Sequence, residues 1–307
     1  MEAISPRVGR AARALRRPWV VAALALPAAL VALNWWLVPP LDPAPAPVPV
    51  GPPGAATGTS AADVRPTWPG ERLGGPEAKR LLLEILVDAG RRVDAASGYT
   101  ATFRKQERIG DTLHPEQTLA MKVRHRPFAV YFKFLAPKPG KEVVYAEGYR
   151  DNKVIAHNGD WTRRLVPRLA IEPTSSVALA ENRHPITEAG LANLVRKLVE
   201  FRRLDLEVPD SETVMDRTSD ASGRPRLRSV HVHKRRDASR PFARVEVLYD
   251  PETLFPVQIS SFDWPAPDGP PEPLLAERYV YEDLKIDAPL TAADFDPANP
   301  QYEFMRF

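Results

Sequence analysis

The chain has 307 residues, of which 44% are hydrophobic and 26% charged, and it contains no cysteine. This composition allows a folded domain with a substantial core, while the lack of thiols excludes disulfides, thiolate zinc sites and a cysteine nucleophile. The formal net charge is +3, but without residues 1–17 the chain has 37 basic and 38 acidic residues. We therefore expect no nucleic-acid partner, because non-specific phosphate binding needs an excess of positive charge.

Residues 18–38 are almost uninterruptedly apolar and follow a basic cytoplasmic tail, residues 1–17, with five arginines. At about 1.5 Å rise per residue, some twenty helical residues span the hydrocarbon core of a bilayer. The sequence predicts one transmembrane signal-anchor helix here, with the N-terminus in the cytoplasm because the arginines precede it. A cleaved signal peptide, cut at Ala44–Ala46, is the alternative, but its apolar region is shorter, about 7 to 15 residues. We expect a single-pass protein of the inner (cytoplasmic) membrane.

Residues 39–75 are rich in proline, alanine and glycine, with eight prolines between Pro39 and Pro53. Such a composition buries too little apolar surface to fold, and proline biases the backbone toward extended polyproline II. We predict a disordered stalk here that carries an exported periplasmic domain, residues 76–307. We expect that domain to be monomeric.

Residues 76–307 combine helical and strand patterns. A helix is predicted to begin at Pro76, because Leu82, Leu86, Ala89 and Val93 recur at helical spacing. A second helix is predicted over residues 187–204. Alternating apolar and polar residues predict strands that begin at residue 99 and continue over residues 119–124, 128–135, 141–149, 153–157, 161–166, 213–216, 227–234, 243–249, 257–262 and 275–286.

The order of these elements is one helix, several strands, a second helix and several strands again. Short turns between successive strands imply an antiparallel sheet, and a long twisted sheet of this kind needs helices to cover its apolar face. The sequence therefore predicts an α+β fold in which a curved antiparallel sheet wraps over helices.

Two parts of this pattern resemble the LolA-like lipoprotein-carrier superfamily. The first is the hairpin YDPETLFPV of residues 249–257, followed by the long strand and YEDLKIDAPL at residues 281–290. The second is the strand after Pro127 and the hairpin around Gly159 and Trp161. More narrowly, PGKEV at residues 139–143 and HPIT at residues 184–187 resemble an uncharacterised bacterial family of unknown function within or near that superfamily.

The resemblance covers residues 76–307 and implies an incomplete β-barrel, or strongly curved sheet, around a cavity that holds acyl chains or lipoproteins. Alternation sends one set of apolar side chains to the inner face of the sheet, where they either pack as core or line such a pocket. Arg104 and Arg163 are then candidates to meet a ligand headgroup, although charged side chains on strands more often face solvent. The candidate wall residues are Phe103, Val130, Phe132, Phe134 and Trp161.

His231 and His233 lie two residues apart on a predicted strand and so point to one face, as two metal ligands would. Val230 and Val232 are the expected core residues of that strand, which leaves the histidines facing solvent beside Lys234. The histidines are therefore a weak metal candidate, and we expect no metal and no other cofactor. Nucleophile-elbow and glycine-rich phosphate motifs are absent from the sequence, so it nominates no catalytic residue.

Three functions remain open at this point. The first, which we favour, is a membrane-tethered periplasmic binding module for a hydrophobic ligand, either a lipid or a lipidated protein, without catalysis. The second is an envelope sensory or protein-interaction subunit. The third is a hydrolase whose site is assembled from residues distant in sequence.

Overall fold

The computed structural model describes residues 65–159, 168–236, 240–265, 269 and 272–304. The predicted cytoplasmic tail, transmembrane helix and most of the stalk lie outside these residues, as does the predicted strand at 161–166. Among the described residues, no helix is long and apolar enough to cross a membrane.

Thirteen strands form one curved antiparallel sheet, as the alternating pattern predicts. Their order is β1-β9-β10-β11-β12-β13-β2-β4-β5-β6-β7-β8, and β3 pairs with β2 beside this path. The strands are β1 (Leu73–Gly74), β2 (Gly98–Ile109), β3 (Thr112–Leu113), β4 (Gln117–Arg124), β5 (Ala129–Ala136), β6 (Glu142–Ala146), β7 (Val154–His157), β8 (Leu169–Ile171), β9 (Ser211–Ser219), β10 (Pro225–His233), β11 (Arg244–Tyr249), β12 (Pro256–Phe262) and β13 (Leu275–Ile286).

Two long helices cover the inner face of this sheet. Helix α1 (Gly75–Ala95) begins with proline in its first turn, whereas α2 (Ser176–Leu179) is a single short turn. Helix α3 (Leu191–Asp205) begins later than the predicted residue 187, because Gly190 has a positive φ of 101° and separates it from a 3₁₀ turn at Ile186–Glu188. Further 3₁₀ turns lie at Arg150–Asn152 and Ala292–Phe295.

The core has three parts. The second half of α1 and the start of α3 pack on β2, β4 and β5, and the other halves of both helices pack on β9–β12. The third part lies on the outer face of the sheet, where the C-terminal segment covers β5–β7. There the Tyr131 ring stacks on Tyr302 at 4.2 Å between ring centroids, so consecutive residues of β5 are buried on opposite faces.

The folded domain begins before the predicted boundary at residue 76. Trp68 is buried against Tyr249, with ring centroids 5.0 Å apart. Its indole N–H donates to the Asp216 carbonyl at 3.2 Å, and Leu73 pairs with Met215 of β9. Through Trp68 and Leu73, residues 68–75 are part of the folded domain, although the proline- and glycine-rich sequence around them indicates a linker.

Candidate functional site

An apolar cavity of about 730 Å³ lies between the inner face of the sheet and helix α3. Small-molecule sites usually have volumes of about 300–1,000 Å³. One end of the cavity, which we call the apolar end, is formed by β2 and β4–β8 on one side and by Leu194 of α3 on the other. The apolar sheet residues of this end are Phe103, Leu119, Phe132, Phe134, Val143, Val154, Ala156 and Ile171, and Lys105, Glu107 and Gln117 of the same strands also line the cavity.

Three of the predicted wall residues, Phe103, Phe132 and Phe134, lie in the wall of this cavity. The rings of Phe103 and Phe132 stack with centroids 5.9 Å apart. Val130 faces the same side of β5 but is fully buried in the core and does not line the cavity. Trp161 lies outside the described residues.

The structure corrects the expectation for Arg104. Strand alternation sends its side chain to the outer face, away from the cavity. There the guanidinium lies 3.7 Å from the Glu116 carboxylate and 3.8 Å from the Glu282 carboxylate. Arg104 therefore does not reach a headgroup bound in this cavity, and Arg163 lies outside the described residues.

Residues 173–190 cross over the cavity between β8 and α3, and we call them the covering segment. They include α2 and the 3₁₀ turn at Ile186–Glu188. Val177 lines the cavity although 66% of it is exposed to solvent, so the segment is thin at this point. The apolar residues that it contributes are Pro173, Val177, Ala178, Ala180, Pro185, Ile186 and Ala189.

Two buried carboxylates attach the covering segment to the sheet. Glu107 of β2 accepts a hydrogen bond from the Arg183 backbone N–H at 3.3 Å. Glu277 of β13 lies 2.8 Å from Nε2 of His184. Burial alone would raise the pKa of Glu277, but the hydrogen bond with His184 and the nearby charges keep that pKa below its ordinary value. An ionised Glu277 therefore faces the segment.

The group around Glu277 holds the members of a hydrolytic triad in an order that cannot work as one. The Ser261 hydroxyl donates to Glu277 at 3.0 Å, and His184 contacts the other oxygen of the same carboxylate. A serine nucleophile needs the imidazole, not the carboxylate, next to its hydroxyl so that the base can take the proton. This grouping holds the covering segment and does not activate Ser261.

The opposite end of the cavity, which we call the basic end, is lined by Arg202, His233 and Arg240. All three side chains gather around Asp205, the last residue of α3. The distances to its carboxylate oxygens are 2.9 Å from Arg202 Nη2, 3.0 Å from Arg240 Nε and 3.1 Å from His233 Nε2. His231 Nε2 lies 2.9 Å from the same carboxylate. One carboxylate therefore contacts two guanidiniums and two imidazoles.

These contacts fix the charges at the basic end. Burial alone would raise the pKa of Asp205, but the two histidines and the Arg202 charge hold that pKa far below its usual range. Burial, followed by the charge of Arg202, lowers the pKa of His231 to about 3. At neutral pH, Asp205 is therefore ionised and His231 is neutral.

The prediction that His231 and His233 face solvent is wrong, because only 1% and 8% of them are exposed. Val230 and Val232 occupy the other face of β10 and are half-buried. Strand alternation identifies which residues share a face but not which face lies inside. Asp205 decides this, and it lies more than twenty residues earlier, at the end of a helix.

Asp205, His231 and His233 bring three ligand atoms within 4.8 Å of one another. Their outer ring nitrogens are held as in many metal sites, with His231 Nδ1 2.7 Å from the Thr213 hydroxyl and His233 Nδ1 3.1 Å from the Phe242 carbonyl. The distances therefore fit a divalent cation. The charges do not, because Arg202 and another guanidinium already contact the only carboxylate in the group, and they would repel a dication.

The family assignment agrees with the resemblance seen in the sequence. Residues 96–304 match the family described as "Protein of unknown function (DUF1571)". Since this match spans well over half of the chain, the chain belongs to that family. No protein among curated sequences matches it significantly.

Solved structures with similar folds include three LolA-like or lipoprotein-related proteins. Lipoprotein LppX of Mycobacterium tuberculosis aligns with 11% identity over 72% of this chain and 99% of its own, with a TM-score of 0.38. A putative outer membrane lipoprotein-sorting protein domain of Vibrio parahaemolyticus aligns with 12% identity, 70% and 95% coverage and a TM-score of 0.31. A LolA superfamily protein of Nitrosomonas europaea aligns with 12% identity over 69% of this chain and 96% of its own, with a TM-score of 0.22. The predicted membership of an uncharacterised family is confirmed by the family match, whereas structural likenesses this weak show neither a superfamily nor a ligand for this chain.

Sequence reasoning missed the polar groups that shape the two ends of the cavity. Glu107, Glu277, Arg202 and Asp205 are not among the site residues predicted from the sequence. One signal was available, since Glu277 and Glu107 occupy positions where apolar alternation predicts inward-facing residues. Charged residues at inward positions indicate a buried polar contact.

Proposed function

We propose that this protein is a binding module for a hydrophobic ligand, a lipid or a lipidated protein, and that it performs no catalysis. The observation that carries the proposal is the cavity of about 730 Å³ with stacked aromatic rings in its wall. Side chains do not fill the space between Phe132, Leu194 and the covering segment. An acyl chain suits a space with apolar walls, because the chain gains free energy from burial and needs few polar partners.

We also propose that residues 18–38 anchor the protein in the inner membrane and that residues 65–304 lie in the periplasm. The apolar run and the arginines that precede it support this topology. A reporter that is active only in the cytoplasm, fused after Phe307, is expected to stay silent. An active reporter would show that the domain faces the cytoplasm.

The binding proposal can be tested in the intact chain with a photoreactive acyl lipid added to membranes. Cross-linked peptides are then identified by mass spectrometry. We expect labelling of β5 and the covering segment, in addition to the anchor that is always in contact with lipid. Phe132→Glu should remove the β5 label because it places a charge in the wall, whereas Lys133→Glu on the outer face should keep it. Labelling confined to residues 18–38 would contradict the proposal and favour a protein-interaction role.

A further inference from the structure

The basic side chains that line the cavity differ in the carboxylates that they contact. Four basic side chains that line the cavity pair with carboxylates other than Asp205: Lys105 with Glu107, Lys141 with Glu181, Arg183 with Glu277 and Lys197 with Glu188. Among the described residues, Asp205 is the only carboxylate that Arg202 contacts, and Asp205 also contacts another guanidinium and two imidazoles. The Arg202 guanidinium therefore does not have a carboxylate to itself.

We infer that the cavity takes an amphiphile with an anionic head, a carboxylate or a phosphate, and that the head lies at Arg202 while the chain lies along the apolar end. This inference rests on the proposed function and adds the class and orientation of the ligand.

Arg202 has an unused donor at this place. Only 5% of the residue is exposed, and it lines the cavity. Its Nη2 contacts Asp205, but its Nε has no hydrogen-bond partner among the described residues. A buried guanidinium N–H without a partner is costly, and carboxylate or phosphate oxygens fit the planar guanidinium fork well.

The charge of Arg202 disfavours a second cation at the basic end. The pKa of His231 falls to about 3, first through burial and then through the Arg202 charge. Burial also lowers the pKa of Arg202, more than the attraction of Asp205 raises it. Burial penalises a charge of either sign, but the Arg202 charge attracts an anion and repels the divalent cation that the ligand distances alone allow.

The layout of the cavity gives the ligand its direction. The apolar end belongs to β2 and β4–β8, and the basic end belongs to α3 and the β10–β11 turn, at the opposite side of the strand order. Tyr279 and Tyr281 of β13 line the space between the two ends. A single chain with one charged end can therefore lie across the inner face of the sheet.

The test uses the intact chain in vesicles of neutral phosphatidylcholine with three photoreactive probes of equal length: a hexadecanoic acid, a hexadecyl phosphate and a hexadecanol. We expect each acidic probe to label the cavity peptides at roughly tenfold lower concentration than the alcohol, a ratio equivalent to about 1.4 kcal/mol. Inorganic phosphate is added as a competitor. If inorganic phosphate displaces the acidic probes at the same concentration at which hexadecyl phosphate labels the cavity, the site binds a free anion. That result would overturn the proposed orientation of the lipid.

Variants locate the head. Arg202→Gln should abolish the preference for acidic probes but keep hexadecanol labelling, while Arg203→Gln, an exposed neighbour on the same helix, should change neither. Arg202→Lys keeps the charge and should keep part of the preference, which covers the case in which the glutamine variant does not fold. The wild-type probe comparison needs no variant at all.

The possible failures are distinguishable. Equal labelling by all three probes overturns the anionic head but leaves the hydrophobic binding proposal standing, whereas no cavity labelling by any probe overturns both. Stoichiometric zinc in the purified chain, lost in His231→Asn, would assign the basic end to a metal and also overturn the inference.

Discussion

The two faces of strand β5 are both buried, but in different ways. On the outer face, Tyr131 stacks on Tyr302 and packs near Phe295, so the C-terminal segment fills the space. On the inner face, Phe132 and Phe134 border an open cavity beneath the covering segment. An apolar side chain of a strand can therefore be equally inaccessible to water in a filled core and in the wall of a cavity.

Truncating an aromatic side chain should lower the free energy of unfolding more on the outer face of β5 than on the inner face. Phe295→Ala should lower the free energy of unfolding by about 3–5 kcal/mol, because its ring is fully surrounded. Phe132→Ala should cost about half as much, because one side of its ring already lacks contacts. Chemical denaturation of both variants measures the difference. Equal losses would show that the inner face is packed as tightly as the outer one.

The second effect concerns the basic end and pH. The pKa of His231 is about 3 in the folded protein and about 6.5 in an unfolded chain. Between these values the unfolded state binds more protons, so stability should rise with pH by up to about 1.4 kcal/mol per pH unit. His231→Asn should flatten the profile in this window. An unchanged slope in His231→Asn would contradict the buried neutral imidazole.

The third effect concerns how the covering segment is held. His184→Ala removes a partner of the buried Glu277, and we expect a loss of about 1–3 kcal/mol. The change should appear chiefly as faster amide hydrogen exchange over residues 173–190, with less change in β13. Glu181→Ala, which removes contacts with the exposed Lys138 and the partly buried Lys141, serves as the control. Exchange that rises equally in both variants would argue against a specific attachment at Glu277.

The smallest effect tests the corrected position of Arg104. Its two ion pairs are long and partly exposed, so Arg104→Ala should lower stability by less than about 1 kcal/mol. It should also leave labelling by acyl probes unchanged, since the side chain lies on the outer face. A selective loss of probe binding would return Arg104 to the ligand site.

Local patterns predicted much of the fold. Alternation in β5 separates Phe132 and Phe134 from Tyr131, and the apolar spacing of α1 identifies the face that it buries, because both depend on neighbours within a few residues. The cavity could not be predicted in this way, since it depends on how closely α3 approaches the sheet. The basic end was hidden for the same reason: Asp205 and His231 meet only after β10 is placed against the end of the helix.

The lack of cysteine in the chain allows the most direct test of the central claim, that the inner face of β5 holds an acyl chain. Phe134→Cys and Lys133→Cys introduce single thiols at adjacent residues that face opposite sides of the sheet, and each can carry a small fluorophore. A fatty acid bearing a nitroxide on its chain is then titrated into the full-length protein in neutral vesicles. We predict saturable quenching at position 134 and little at position 133. Equal quenching at both positions, or none at position 134, would contradict the account.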